Sequence, residues 1–231
     1  MVPIPHHRGM TSLADVWPPY RLRVRAGDLT LTVVGDDDVP GLVDLALAGI
    51  HAPEAMPFSV PWTLTPAGEL PATMVRHYSS VRASFERDAF DLLFAVRVRG
   101  VLVGTQALHA KDFPVTRTLE TGSWLGLVHQ GQGVGTRMRQ AACAYAFDEL
   151  GAEEVTSAAF VDNPASLAVS RKVGYRPNGV VRLKRRDGEM ALNQKLVLSR
   201  RDLVRGEPLE VCGAEDLRAF LGLPDGSPDR S

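Results

Sequence analysis

The sequence has few cysteines and almost no net charge. Its two cysteines, Cys143 and Cys212, lie 69 residues apart, which is neither a metal-binding spacing nor a disulfide framework. We therefore expect a reducing compartment, the cytoplasm, and no metal site. Lys and Arg number 26 against 27 Asp and Glu, so the net charge is -1 and no overall field draws the protein to nucleic acid or membranes.

Long apolar runs are also lacking. The uncharged stretch 121–136 has 16 residues, which is too short and too rich in Gly and Gln to cross a bilayer. Residues 1–17 carry His6, His7 and Arg8 but no apolar core of a signal peptide. The sequence thus predicts neither a membrane anchor nor an export signal.

The composition is that of a soluble globular protein, with 45% hydrophobic and 23% charged residues among 231. At roughly 150 residues per domain, this length fits one large domain with additional segments. We predict an N-terminal extension at 1–19, a domain at 20–200, and a C-terminal tail at 201–231 that contains a short helix.

A glycine-rich segment follows directly after a predicted strand and opens a predicted helix. The strand covers 117–128, the glycines are Gly131, Gly133 and Gly135, and apolar residues at helical spacing continue to Leu150. Such glycines let backbone N–H groups approach an anion at the positive end of a helix. The segment predicts a phosphate-binding loop, while a tight turn without a ligand is the alternative.

Two ligand classes that use such loops fit poorly. A nucleoside triphosphate loop requires Gly-Lys-Ser/Thr, and Thr136 follows Gly135 instead of a lysine. A dinucleotide loop requires Gly-x-Gly-x-x-Gly, and counting from Gly131 places Thr136 where the third glycine should stand. Dinucleotide binding remains the weaker alternative.

The loop Gln130-x-x-Gly133-x-Gly135 resembles the Q/R-x-x-G-x-G/A motif of the GNAT superfamily of acyl-CoA-dependent N-acyltransferases. The segment from Asn163 to Tyr175 resembles that family's second signature, and the two come in the family's order and at a family-like separation. Glu120-Thr-Gly-Ser-Trp resembles a strand of the branch that includes ribosomal-protein alanine N-acetyltransferases. The resemblance covers about 21–199.

This resemblance implies an α/β (α+β) fold: a mixed, twisted, mostly antiparallel sheet of about six to seven strands, flanked by helices and splayed at the coenzyme cleft. It also implies that the loop backbone binds the pyrophosphate of acetyl-CoA and that the strand 125–128 pairs with the pantetheine amides. Asn163 would contact pantetheine, act as an ordinary helix N-cap, or do both. The predicted coenzyme-binding residues are Leu125, Leu127, Val128, Gln130, Gly131, Gln132, Gly133, Val134, Gly135, Thr136, Asn163 and Ser166. Further candidates to pair with coenzyme phosphates, or to be ordinary charges on exposed helix faces, are Arg137, Arg139, Arg171 and Lys172.

Acyl transfer to an amine requires a base, because an alkylammonium or α-ammonium group must lose its proton before attack. Glu120 matches the glutamate of the family strand and is our first candidate for the base, directly or through water. His109 on the neighbouring strand is the reserve candidate. Many members of the family carry a Tyr where this chain has Ser170, so we predict Ser170 as the proton donor to the departing thiolate, through a water because its side chain is short.

The segment 50–73 has five prolines among apolar residues that include Phe58 and Trp62. The prolines disfavour regular structure, and so much apolar surface is costly to leave in water. We predict that this segment lines or caps the acceptor site, with packing over the core as the alternative. The candidate acceptor-binding residues are Phe58, Trp62, His109 and Trp124.

Together these features predict an N-acetyltransferase that moves an acetyl group from acetyl-CoA to a primary amine by direct attack in a ternary complex. The amine is a protein N-terminus, a lysine or a small molecule, and neither cysteine lies in the motifs to form an acyl-enzyme. The alternative is a module that binds acyl-CoA as a sensor or scaffold without turnover. Basic residues at 182–186 are diluted by Asp187 and Glu189, so no nucleic-acid partner is predicted. A homodimer and a larger acyl donor are left open.

Overall fold

A single sheet organises the protein. The computed structural model describes residues 11–224. The strands in that range are β1 (Arg23–Ala26), β2 (Leu29–Val33), β3 (Asp91–Val98), β4 (Val101–Ala110), β5 (Thr118–Leu125), β6 (Glu154–Phe160), β7 (Arg176–Arg186), β8 (Glu189–Ser199) and β9 (Leu209–Cys212). They run in the order β7-β8-β6-β5-β4-β3-β2-β1-β9, and β5 and β6 are the parallel pair among antiparallel neighbours.

Helices cover both faces of this sheet. They are α1 (Leu13–Val16), α2 (Val39–Leu47), α3 (Leu70–Ala83), α4 (Phe113–Thr116), α5 (Val134–Asp148), α6 (Pro164–Val173) and α7 (Ala214–Leu221). On one face, α2 and α3 bury Leu42 and Met74 against the sheet. On the other, α5 and α7 bury Tyr145 and Leu217. In the part of the chain that the structure describes, no helix is both long and apolar enough for a transmembrane span.

The β3–β4 hairpin contains a bulge that sets the register of its far end. Val98 lies opposite Val101, but the pairing shifts between Val96 and Arg97, so that Asp91 lies opposite His109. A bulge adds one residue to one strand and rotates the ladder locally. The turn at Gly100 therefore does not by itself specify the register of this hairpin.

The mixed, mostly antiparallel sheet flanked by helices is confirmed, but the expected six to seven strands are too few. The predicted tail contributes β9, which pairs with β1, and α7, whose apolar face is buried. The strand predicted at 117–128 ends at Leu125, because Leu127–His129 form a 3₁₀ turn instead. Residues 1–10 of the predicted extension and 225–231 of the tail lie outside the described residues.

Candidate active site

The sheet splits between its two parallel strands. Pairing between β5 and β6 runs from Thr118 with Glu154 to Thr121 with Ser157 and then stops, although β5 continues to Leu125. At the apex, the hydroxyl of Ser157 donates a hydrogen bond to the backbone oxygen of Thr121, 3.2 Å away. Beyond this point, the edge of β5 has no strand partner on the β6 side among residues 11–224 and can accept an extended ligand with amide groups.

The glycine loop forms a cradle of backbone N–H groups at the mouth of the split. Gly131 and Gly133 have φ angles of +72° and +77°, which few side-chain-bearing residues tolerate. No side chain caps the N-terminus of α5, and the N–H groups of 131–135 have no acceptor within the described residues. Free N–H groups at the positive end of a helix bind phosphate groups.

Gln130 holds this loop in place. Its side-chain amide donates hydrogen bonds to the backbone oxygens of Leu125, 2.9 Å away, and Ile50, 2.6 Å away. Leu125 ends β5, and Ile50 begins the proline-rich segment. The first residue of the predicted motif therefore ties the cradle to the strand edge and to the segment that covers it.

The split, the cradle and the proline-rich segment enclose one cleft of about 830 Å³. That volume lies within the usual range for binding sites of small molecules and cofactors. Eleven of the predicted site residues besides Glu120 line it, namely Phe58, His109, Trp124, Leu125, Gln130, Gly131, Gly133, Gly135, Thr136, Asn163 and Ser166. Sequence reasoning missed the residues that β6 and β8 contribute, such as Ser157, Asn193 and Lys195, because they carry no motif.

Glu120 and His109 lie side by side on the sheet face that α2 and α3 cover. They are directly paired across β5 and β4, and both side chains are exposed to the cleft. Directly opposite residues of an antiparallel pair share one face. The two predicted base candidates are thus neighbours, and Trp124 follows on the same face four residues after Glu120.

Asp91 orients His109, and sequence reasoning did not single it out. Its carboxylate oxygen lies 2.7 Å from Nδ1 of His109. The carboxylate can only accept, so Nδ1 carries the proton and Nε2 of a neutral imidazole is left as the acceptor. Nε2 lies above Gly122 of β5, where a Cβ would be 3.3 Å away.

The proline-rich segment lines one side of the cleft. Its first part, residues 50–59, faces the cleft, and Met56 within it is buried. Phe58 lies 5.5 Å from Trp62, and Trp62 lies 5.7 Å from Trp124, measured between ring centroids. Phe58 and Trp124 line the cleft while Trp62 stands behind them and packs towards α2 and α3.

Arg139 is buried on the opposite side of the split, on the face that α5 covers. Only 5% of its surface is exposed. Its guanidinium donates hydrogen bonds to the hydroxyls of Ser170, 2.8 Å away, and Ser123, 3.0 Å away. No carboxylate lies within 4 Å of it among residues 11–224, and its Nε has no partner there.

Ser170 is fully buried next to this arginine. Its hydroxyl donates to the backbone oxygen of Ser166, 3.0 Å away, and accepts from Arg139. In α6, Asn163 acts as the N-cap, with its side-chain oxygen accepting from the N–H of Ser166 at 3.1 Å. Proton donation by Ser170 therefore requires its hydrogen to turn away from Ser166.

The other predicted coenzyme contacts differ in position. Leu127 and Val128 lie in the 3₁₀ turn rather than on the strand, and with Gln132 and Val134 they do not line the cleft. Arg137, a candidate phosphate partner, forms an ion pair of 2.5 Å with Asp28. The strand edge that faces the split ends at Leu125.

Comparison with known families agrees with this geometry. A family model described as an acetyltransferase (GNAT) domain matches residues 28–176, which include the split, the cradle, Arg139 and α6. The chain belongs to this family, and the family predicted from the motifs is confirmed.

Among similar proteins, the chain is 36% identical over 89 residues to YdaF of Bacillus subtilis, named as a candidate ribosomal N-acetyltransferase. That match covers 38% of this chain and 46% of the relative, so the chain spans about half the length of the relative it matches. The structure of RimJ from Mycobacterium smegmatis, solved with a CoA disulfide, matches with a TM-score of 0.65 at 17% identity. This match covers 88% of this chain and 95% of the RimJ chain. RimL, a ribosomal L7/L12 α-N-protein acetyltransferase solved with coenzyme A, has a TM-score of 0.62 at 20% identity and covers 75% of this chain and 95% of its own.

Proposed function

We propose that the protein is an acetyl-CoA-dependent N-acetyltransferase whose acceptor is a primary amine, with a protein N-terminus as the first candidate. The observation that carries the proposal is the continuous cleft that joins the N–H cradle of α5 to the Glu120–His109 pair through the split sheet. The names of YdaF, a candidate ribosomal N-acetyltransferase, and of RimL, a ribosomal L7/L12 α-N-protein acetyltransferase, support a ribosomal-protein acceptor.

The donor fits the residues that line the split. Free N–H groups at 131–135 and the α5 dipole suit the pyrophosphate of coenzyme A. The unpaired edge of β5 suits the pantetheine amides, which can then hydrogen-bond as an additional strand would. Both ends of the donor are thereby held by backbone, so the thioester lies between the cradle and Glu120.

The acceptor end is suited to an ammonium group that must become an amine. Glu120 and the faces of Phe58 and Trp124 attract a cation. Glu120, or Nε2 of His109 held by Asp91, then accepts the proton and the neutral amine attacks the thioester carbon. Orientation of amine and thioester supplies most of the rate, a contribution of roughly 7 to 11 kcal/mol in well-aligned systems.

The test is coenzyme A release from acetyl-CoA, measured against a panel of amines: peptides with free N-termini, the same peptides blocked at the N-terminus but carrying lysine, and small polyamines. We expect turnover with the free N-termini. If the protein binds acetyl-CoA but releases no coenzyme A with any of these acceptors, it is the sensor or scaffold instead.

The base is tested by Glu120→Gln and His109→Gln, each assayed from pH 6 to pH 9. The variant that lacks the true base should lose turnover at low pH. Its turnover should recover as the α-amino group of the acceptor, with a pKa near ~8, deprotonates unaided. Affinity for acetyl-CoA should change little in both variants, because neither residue contacts the cradle. If turnover in both variants depends on pH as it does in the wild-type protein, deprotonation is assigned to water.

A further inference from the structure

Arg139 is a buried cation that nothing in the described part of the chain neutralises. Burial of a charged group is costly unless charge or hydrogen bonds compensate for it. Two serine hydroxyls accept from the Nη atoms, while Nε lacks a partner. A buried guanidinium with spare donors that lines a ligand cleft is arranged for a negative charge that arrives with the ligand or develops during the reaction.

Its position relative to the base candidates defines which charge that is. Glu120 and His109 lie on one face of the sheet, whereas Ser123, which accepts from Arg139, points to the other face because side chains alternate along β5. The amine therefore approaches from the Glu120 face. The group that leaves the tetrahedral carbon on the far side faces Arg139 and Ser123, which line the cleft there.

Building on the proposed acetyl transfer, we propose that Arg139 is a catalytic residue that stabilises the thiolate of coenzyme A as it leaves. The amine nitrogen forms its bond to the acetyl carbon and gives its proton to the base. The C–S bond breaks with its electron pair on sulfur, and the guanidinium, which stays protonated, donates hydrogen bonds to that sulfur. Solvent later protonates the thiolate, so Ser170 need not be the source of the proton.

The ionisable groups near Arg139 do not supply the negative charge that would neutralise it. Cys143 lies one turn further along α5, and burial raises the pKa of its thiol to about 11. Burial likewise raises the pKa of Tyr175, which contacts Cys143, well above its ordinary value. Both stay neutral between pH 6 and 9. Within the cleft, Lys172 lies on α6, and Asp162 is already paired with Arg185 at 2.7 Å.

The test compares the binding of coenzyme A with that of desulfo-coenzyme A, which lacks the thiol, by calorimetry from pH 6 to pH 9. A free thiol has a pKa near ~8.5. If Arg139 lowers the pKa of the bound thiol, coenzyme A binds more tightly as pH rises through that lowered value and levels off above ~8.5. Both ligands share the same phosphates, so any titration of the phosphates cancels in the ratio of the two affinities.

We expect the ratio to rise at least about fivefold with pH in the wild-type protein, to stay flat in Arg139→Gln, and to rise again in Arg139→Lys. Arg176→Gln, a matched change at an exposed arginine paired with Asp202, should behave as wild type. In single-turnover acetyl transfer, Arg139→Gln should be slowed about tenfold or more at unchanged affinity for acetyl-CoA.

A ratio that does not change with pH in the wild type, or one that still rises in folded Arg139→Gln, would overturn the role of Arg139 and leave the proposed function standing. If Arg139→Gln does not fold, the wild-type ratio and Arg139→Lys, in which the pH at which the ratio rises should shift because the charge moves, still decide. Failure of the wild type to bind both ligands would instead refute the proposed function itself.

Discussion

The anion cradle is tested most directly at Gly135, where charge can be added without strain. Its backbone is helical, and a Cβ there would lie 3.5 Å from Val169 and 3.8 Å from Leu125, which are ordinary contacts. Gly135→Ala should therefore fold with a gain of about 0.5 to 1 kcal/mol, since alanine favours the helix. Gly133 is the poorer site, because its φ of +77° would add strain of about 1 to 2 kcal/mol to any substitution.

The informative pair is Gly135→Glu and Gly135→Gln, which match in size and differ in charge. A carboxylate about 6 Å from the two charges of a pyrophosphate, at an effective dielectric constant of about 40 to 80, costs about 1.5 to 3 kcal/mol. We therefore expect the Glu variant to bind coenzyme A about 10- to 100-fold more weakly than the Gln variant, by calorimetry at low ionic strength. The difference should shrink at high salt.

Two outcomes would refute this reasoning. One is that folded Glu and Gln variants bind coenzyme A with equal affinity, which would remove the pyrophosphate from the N-terminus of α5. The other is that Gly135→Ala alone abolishes binding while the protein stays folded, which would show that space at this position matters rather than charge.

Three further predictions concern the aromatic residues of the proline-rich segment, the close approach of β4 and β5 at Gly104, and the two thiols. Phe58→Ala should raise the KM for the amine about tenfold, equivalent to about 1.4 kcal/mol, without changing the KM for acetyl-CoA. Trp62→Ala should raise the KM for the amine as well and should in addition lower Tm. If both variants lower Tm but leave the amine kinetics unchanged, the segment only packs against the core. Gly104→Ala should destabilise the protein by about 2 to 4 kcal/mol in denaturant titrations, because its Cβ would lie 2.2 Å from a backbone oxygen of β5; wild-type stability would contradict the close approach of β4 and β5 at this position. At pH 8 a thiol reagent should titrate the exposed Cys212 in the native state and the buried Cys143 after unfolding, and two fast native thiols would contradict the burial.

The parts of the site that depend on local backbone geometry could be predicted from the sequence. The cradle requires residues that tolerate positive φ directly before a helix, and the pattern of Gly131 and Gly133 encodes that requirement in adjacent positions. Asn163 likewise identifies the start of α6, because N-caps are recognised within one turn. The mixed sheet around them follows from the family resemblance and is confirmed.

The parts that depend on register or on distant packing could not. The turn at Gly100 alone would place Asp91 opposite Leu108, and only the bulge moves it to His109. The sequence offers Arg139 as a partner for coenzyme phosphates or as an exposed helix charge, and neither reading anticipates its burial, because arginines are seldom buried. The pairing of β9 with β1 joins residues nearly 190 positions apart, and a four-residue strand gives too weak a local signal to predict it.

The basic residues of β7 gain a meaning from the topology of the sheet. In the described residues β7 is an edge strand of 11 residues, and a long, regular edge invites pairing with the strands of other molecules. Pro177 offers no N–H to such a partner, the register with β8 is irregular next to it and again after Lys184, and Arg182 and Lys184 add exposed charge. These features are the ones that natural proteins use against edge-to-edge aggregation, so the exposed cations of β7 are suited to keeping this edge unpaired.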